Sequence, residues 1–276
     1  MTEYFDVKLE RIRTLSDSTR DFRFARIDGG VVDYKPGQFF RFVFTDGTGE
    51  FERSYSLCNF DKGDSATLDL LVSTVEGGRA SELLFNCKAG IRARVSGPFG
   101  RLLVPEKLPR RLFLVATSVG IAPYMPMLGQ LSPTLMGSEL DVYFLYGTRD
   151  HSEFIYGEKL RQYSDDHQGF HLNVCYSREL INGAGDDEFG NDEFGGYVQE
   201  RLKQLSMSPA TDHILLCGNP MMIDETYAWL KSEGFGVRQV IREKYVFAKQ
   251  PQLKKKIELT EEQKKLIAEK TKKYQG

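Results

Sequence analysis

Arg53-Ser54-Tyr55-Ser56-Leu57 places a fixed cation, a flat aromatic ring and a hydroxyl side by side. Arginine pairs bidentately with a phosphate, a tyrosine ring covers one face of a flat heterocycle, and a serine hydroxyl bonds a ring nitrogen. Together these groups suit a flavin, although an Arg-x-Tyr-Ser on a surface strand usually has no such role. Gly77-Gly78-Arg79-Ala80-Ser81 stands where a helix should begin, and free backbone amides with the helix dipole favour a phosphate there. The same residues also read as an ordinary glycine turn capped by Ser81. Further on, Leu114-Val115-Ala116-Thr117-Ser118-Val119-Gly120-Ile121-Ala122-Pro123 runs from a strand through a turn to a proline at the head of a helix. This turn suits a pyrophosphate without being a Gly-x-Gly-x-x-Gly motif. Leu215-Leu216-Cys217-Gly218-Asn219-Pro220-Met221-Met222 sets a thiol and small residues after another apolar strand.

Two kinds of element have to position these groups. From residue 4 to about 104, short alternating runs (Phe22 to Ile27, Phe39 to Phe44, Thr67 to Val75, Ile91 to Val95) are broken by Pro36-Gly37, Asp46-Gly47 and Gly97-Pro98-Phe99-Gly100. That texture predicts a small antiparallel β-barrel or sandwich over 1–104, with one helix from Arg79 to Asn86. A charged connector, Pro105 to Pro109, leads to buried strands at Arg111 to Ala116, Asp141 to Tyr146, Phe170 to Tyr176 and His213 to Cys217. Helices near Pro123 to Leu131, Glu153 to Gln162, Gly196 to Leu205 and Met221 to Glu233 alternate with them. Residues 110–248 therefore predict an α/β domain with a doubly wound parallel sheet, whose ligands belong beyond the carboxyl ends of the strands. The acidic run Asp186 to Glu193 does not fit a calcium loop and reads as a solvated loop. Residues 249–276 hold nine lysines against four glutamates, and Thr260 with Gln263 suggests a capped helix from about 261 to 273.

A formal charge of −2 gives no footprint for nucleic acid or an anionic membrane. The acidic start Met1 to Asp6 and the lack of a long apolar run point to a cytoplasmic protein with no membrane insertion. Cys58, Cys87, Cys175 and Cys217 are scattered singly, so no metal or iron-sulfur cluster is expected and the thiols read as reduced.

Taken in order over residues 4 to about 248, these motifs resemble the ferredoxin-NADP reductase superfamily, in its bacterial type. The resemblance implies an FAD-binding β-barrel followed by an NADP-binding α/β domain. It assigns Arg53, Tyr55, Ser56 and Leu57 to the flavin, and Gly78, Arg79, Ala80 and Ser81 to its pyrophosphate. Thr117, Gly120 and Pro123 would receive the nicotinamide dinucleotide's pyrophosphate, while Cys217, Gly218, Pro220 and Met221 border the nicotinamide. Arg149, Ser177 and Arg178 fall in segments that meet the adenosine 2′-phosphate, which favours NADPH over NADH. Tyr245, in Ile241-Arg242-Glu243-Lys244-Tyr245, would cover the second flavin face. One departure is Ser118, which stands where the family usually has the first glycine of Gly-Thr-Gly.

The implied reaction passes a hydride between NADPH and FAD and single electrons between FAD and ferredoxin or flavodoxin, with Ser56, Cys217 and Tyr245 around the transfer point. No proton-relay residue stands out beyond Glu243. The chain is expected to act as a monomer. Two other readings stay open: an NADH-dependent reductase for free flavin or an oxygenase component, and a non-catalytic flavin-binding adaptor.

Overall fold

Inward and outward side chains alternate along the first strands, as a half-buried sheet requires. Val7 and Leu9 of β1 (Tyr4–Thr14) and Phe40, Phe42 and Phe44 of β3 (Phe39–Asp46) are buried, whereas Arg41 between the first two phenylalanines and Thr45 after the last face out. With β2 (Thr19–Arg26), β4 (Gly49–Ser56), β5 (Thr67–Ser73) and β6 (Arg92–Phe99) they form one antiparallel sheet in the order β4-β3-β6-β1-β2-β5. The computed structural model describes residues 3–60, 66–137, 139–179 and 192–245, all within one compact unit of residues 1–246.

Among the described residues, the edge strands of this sheet meet at a single antiparallel bridge, Leu57 to Leu70, where the Cys58 amide donates to the Asp69 carbonyl at 2.9 Å. The expected barrel is thus a strongly curled sheet closed at one point. Its interior is a phenylalanine cluster: Phe42 lies 5.5 Å from Phe24 and 5.8 Å from Phe44, which is 5.7 Å from Phe51. α1 (Arg79–Asn86) packs Ala80 and Leu84 into that core.

The second sheet is wholly parallel, in the order β10-β9-β8-β7-β11-β12. Its strands are β7 (Arg111–Thr117), β8 (Asp141–Thr148), β9 (Phe170–Tyr176), β10 (Glu193–Gly195), β11 (Asp212–Gly218) and β12 (Val240–Lys244). Both faces are covered, so the strands are apolar on both sides. Leu112, Leu114, Ala116, Phe144 and Tyr146 pack on one face with Met125, Leu128 and Leu131 of α2 (Tyr124–Leu135) and Leu160 of α3 (Gly157–Asp166). Phe113, Val115, Leu145 and Leu216 pack on the other with Val198 and Leu202 of α4 (Val198–Lys203) and Ile223 and Leu230 of α5 (Pro220–Ser232). The chain moves outward from β7 to β10 and then returns across β7 to β11. The switch point therefore lies between β7 and β11, where doubly wound sheets open a binding crevice.

Several boundaries differ from the sequence expectation for definable reasons. The helix expected from Glu153 starts at Gly157, because Tyr156 sits at φ +60 and separates α3 from a single 3₁₀ turn at His151–Glu153. α2 runs past Leu131 to Leu135 even though Pro133 cannot donate a backbone hydrogen bond. β10 and β12 are additional parallel edge strands. Glu193 in β10 is buried, accepting from the Tyr176 hydroxyl at 2.8 Å and pairing with Arg161, so the end of the acidic run is a sheet element, not solvated loop. The rest of that run up to Asn191, and the lysine-rich segment 249–276 with its expected helix, lie outside the described residues.

Candidate active site at the domain junction

The two domains meet through side chains that the sequence singles out separately. Ser56, the last residue of β4, is 4% exposed, and its hydroxyl donates to Glu243 Oε1 of β12 at 2.8 Å. Desolvation in this junction pushes the Glu243 carboxyl above the usual carboxylate range, and the Ser56 hydrogen bond only partly offsets it. Cys217, at the carboxyl end of β11, is fully buried, and burial raises its thiol well above the ordinary cysteine range. A thiol in that state is a packing group and not a nucleophile. The Tyr245 hydroxyl is buried within reach of Ser56 and Cys217, while its backbone amide donates to the Gly218 carbonyl at 2.9 Å. Ser56, Cys217 and Tyr245, far apart in the chain, are thus brought to one place.

Two glycines let the backbone close around that place. A Cβ on Gly120 would stand 2.5 Å from the Cys217 carbonyl oxygen and 2.7 Å from Gly218 Cα, so the turn after β7 lies directly on the end of β11. Gly218 has φ +124, a conformation that side chains resist. Thr117 Oγ1 accepts the Asn219 amide at 2.9 Å, and Asn219 in turn caps α5 by accepting from the Met221 amide at 2.8 Å. Pro220 occupies the first turn of α5, Pro123 precedes α2, and Met221 is exposed. Ser118 holds φ +49, a left-handed backbone conformation that a glycine would adopt without a side-chain penalty.

A second group lies on the barrel. The Arg53 and Arg79 guanidinium groups both stand over the Phe51 ring, at 5.4 and 4.3 Å, which joins the Arg-x-Tyr-Ser strand to the head of α1. Arg79 is held by Asp46 through two contacts of 2.7 Å, and Ser81 Oγ turns inward to the Val75 and Gly78 carbonyls. Gly78 is the N-cap of α1 with no side chain covering it, so what this turn offers outward is the backbone amides of the first helical residues. The Tyr55 ring is half-buried, edge-on to Phe42 and Phe44 at 5.8 and 6.4 Å. Leu57 is a core residue that closes the barrel. A positively framed helix mouth, a flat ring and a junction hydroxyl form a donor set that fits a flavin dinucleotide.

The third group stands at the carboxyl ends of β8 and β9. Arg149 and Arg178 are exposed, and their segments are locked together by Arg178 N–H to Arg149 C=O at 2.8 Å and Ser177 N–H to Thr148 C=O at 3.0 Å. Three residues to which the motifs assigned no role join this edge, Glu179 among them as the last residue of the Ser177-Arg178-Glu179 segment. Tyr197 exposes its ring just before α4, Glu179 accepts the His151 amide at 3.1 Å, and Glu153 contacts Arg149 Nη2 at 3.3 Å. Only the four-residue spacing of Arg149 and Glu153 was a usable sequence signal.

Comparison with known proteins fits this geometry. Residues 6–103 match the oxidoreductase FAD-binding domain and residues 114–227 the oxidoreductase NAD-binding domain. Ferredoxin--NADP reductase B of Sorangium cellulosum is 29% identical over 80% of this chain and 88% of that protein. The toluate 1,2-dioxygenase electron transfer component of Pseudomonas putida is 22% identical over 87% of this chain and 67% of that protein. In fold, the chain superposes on a ferredoxin NADP+ reductase from Neisseria gonorrhoeae, crystallised with FAD and NADP, with a TM-score of 0.74 and 21% identity over 88% of this chain and 99% of that one. No helix among the described residues is long and apolar enough to cross a membrane. With an FAD-binding curled sheet, an NAD-binding parallel sheet and their motifs meeting at one junction, the chain belongs to the ferredoxin-NADP reductase superfamily.

Proposed function

We propose that the protein carries electrons from NADPH through bound FAD to a one-electron carrier protein of the ferredoxin or flavodoxin kind. The observation that carries this reading is the convergence of Ser56 from the FAD-binding domain with Cys217 from the NAD-binding domain, beside Glu243 and Tyr245. Bound FAD supplies the exchange between a two-electron donor and a one-electron acceptor. The chain's part is alignment and exclusion of water. Tyr55 offers a ring face, and Ser56 is aimed by its hydrogen bond to Glu243. Tyr245 and Cys217 close the junction on the nicotinamide side. Glu243 keeps its proton to higher pH than an exposed glutamate does, so it is the group suited to share a proton with Ser56.

Arg149 and Arg178, exposed at one sheet edge, support NADPH, because a guanidinium pairs with the adenosine 2′-phosphate that NADH lacks. Glu179 favours a second reading. A carboxylate beside that edge suits the free 2′-hydroxyl of NADH, and one of the Glu179 oxygens is buried with no hydrogen-bond partner among the described residues. That reading is a reductase for an oxygenase component or free flavin. The two separate in anaerobic stopped-flow experiments with NADPH and NADH as donors and a ferredoxin, a flavodoxin and free FMN as acceptors. Faster reduction by NADPH, followed by rapid reduction of a carrier protein, supports the first reading. NADH preference with free FMN as the better acceptor replaces it with the second.

A further inference from the structure

Glu153 belongs to the NAD-binding domain, yet its strongest partners are on the other domain. Ser16 and Ser18, in the turn between β1 and β2, both donate to Glu153 Oε2, at 2.8 and 2.6 Å. The other oxygen, Oε1, faces Arg149 at the longer distance of 3.3 Å. The carboxylate is nearly enclosed, its side chain 12% exposed against 49% for Arg149. Hydrogen bonds to an ionised carboxylate are short, and the two hydroxyl contacts have that geometry whereas the arginine contact is longer than a charge-assisted bond usually is. Two neutral hydroxyls thus anchor the carboxylate, and the arginine is left lightly held at the nucleotide edge.

We propose that Ser16 and Ser18, acting through Glu153, form a positioning device across the domain junction that keeps the Arg149 guanidinium available to a nucleotide phosphate. This rests on the reading of Arg149 as a contact for the 2′-phosphate. Without the two hydroxyls, the Glu153 charge has Arg149 as its remaining close donor among the described residues and draws the guanidinium onto itself. A phosphate then has to displace a full ion pair instead of a loose one. The barrel domain thereby sets the affinity of the other domain for a phosphorylated ribose without touching the nucleotide.

The test is calorimetric titration of the full chain with 2′,5′-ADP and, as a ligand lacking the 2′-phosphate, with 5′-AMP. The proteins are the natural sequence, Ser16→Ala/Ser18→Ala, the same pair with Glu153→Gln added, and Arg149→Ala. Removing the hydroxyls should weaken 2′,5′-ADP by about three- to tenfold, the size of one hydrogen-bond difference, and leave 5′-AMP unchanged. Adding Glu153→Gln removes the competing charge and should restore 2′,5′-ADP binding to within about twofold of the natural sequence. Equal weakening of both ligands, or failure of Glu153→Gln to restore binding, would mean that the serines act only through the fold and would overturn the proposal. If Arg149→Ala discriminates between the ligands while the serine pair does not, the coupling is wrong and the Arg149 reading stands. If Arg149→Ala fails to discriminate, both fall.

Discussion

Replacing Gly218 by alanine introduces one methyl group at the most constrained backbone position of the junction. The added Cβ would lie inside the contact radius of Thr117 Oγ1 and 2.7 Å from the Thr117 carbonyl oxygen. Thr117 Oγ1 cannot swing away freely, because it accepts the Asn219 amide that starts α5. The φ of +124 adds a conformational penalty, typically about 1–3 kcal/mol for a non-glycine residue. Loss of the Thr117–Asn219 hydrogen bond adds about 1 kcal/mol. Together about 2–4 kcal/mol should appear as a fall in Tm of about 4–16 °C, at roughly 2–4 °C per kcal/mol for a protein of this size. The damage is confined to the end of β11, so FAD content should be retained while the KM for the nicotinamide dinucleotide rises. Thermal unfolding, flavin absorbance and steady-state kinetics on Gly218→Ala read all three, and Gly47→Ala, whose Cβ would meet nothing within 4 Å, is the control. A Gly218→Ala protein with unchanged Tm and KM would refute the close packing of β11 on the β7 turn.

Glu243→Gln should change the pH dependence of stability. The folded Glu243 carboxyl lies above its unfolded value, so the folded state binds its proton more tightly and natural-sequence stability falls as pH rises through that interval. The glutamine variant lacks this loss, so its Tm relative to the natural protein should climb from about pH 4 towards neutrality; a constant difference across that range would contradict the buried charge. Arg178→Ala, like Arg149→Ala, should raise the KM for NADPH by about 10- to 150-fold and that for NADH little, the cost of one charge-assisted contact. Steady-state kinetics with both nucleotides check this, and equal effects would remove the arginines from the phosphate site.

The architecture was legible because its signals are local. Alternation around Phe40, Phe42 and Phe44, and apolar runs such as Leu112 to Ala116, fix strand type from the residues themselves, and Gly78 before Arg79 marks the start of α1 within one residue. β10 escaped because three residues carry no periodic signal and the burial of Glu193 depends on partners distant in sequence, Tyr176 and Arg161 among them. β12 hid inside a segment valued for Tyr245, since an edge strand of alternating charge such as Ile241 to Lys244 looks like a loop. Motif order likewise led to Ser56, Cys217 and Tyr245, but not to what holds them. The Ser56–Glu243 hydrogen bond joins residues 187 positions apart, and the Ser16 and Ser18 bonds to Glu153 span 137 and 135. Neither can be read from spacing, because both depend on how one domain is set against the other.

The claim that the junction of Ser56, Cys217 and Tyr245 is an electron-transfer site is tested most directly by the visible spectrum of the purified full-length protein during anaerobic titration with NADPH. The expected result is a yellow protein holding one FAD per chain, whose flavin absorbance bleaches on addition of about one equivalent of NADPH. A colourless protein that takes up no FAD on reconstitution, or one that binds FAD yet is bleached by neither NADPH nor NADH, would contradict it.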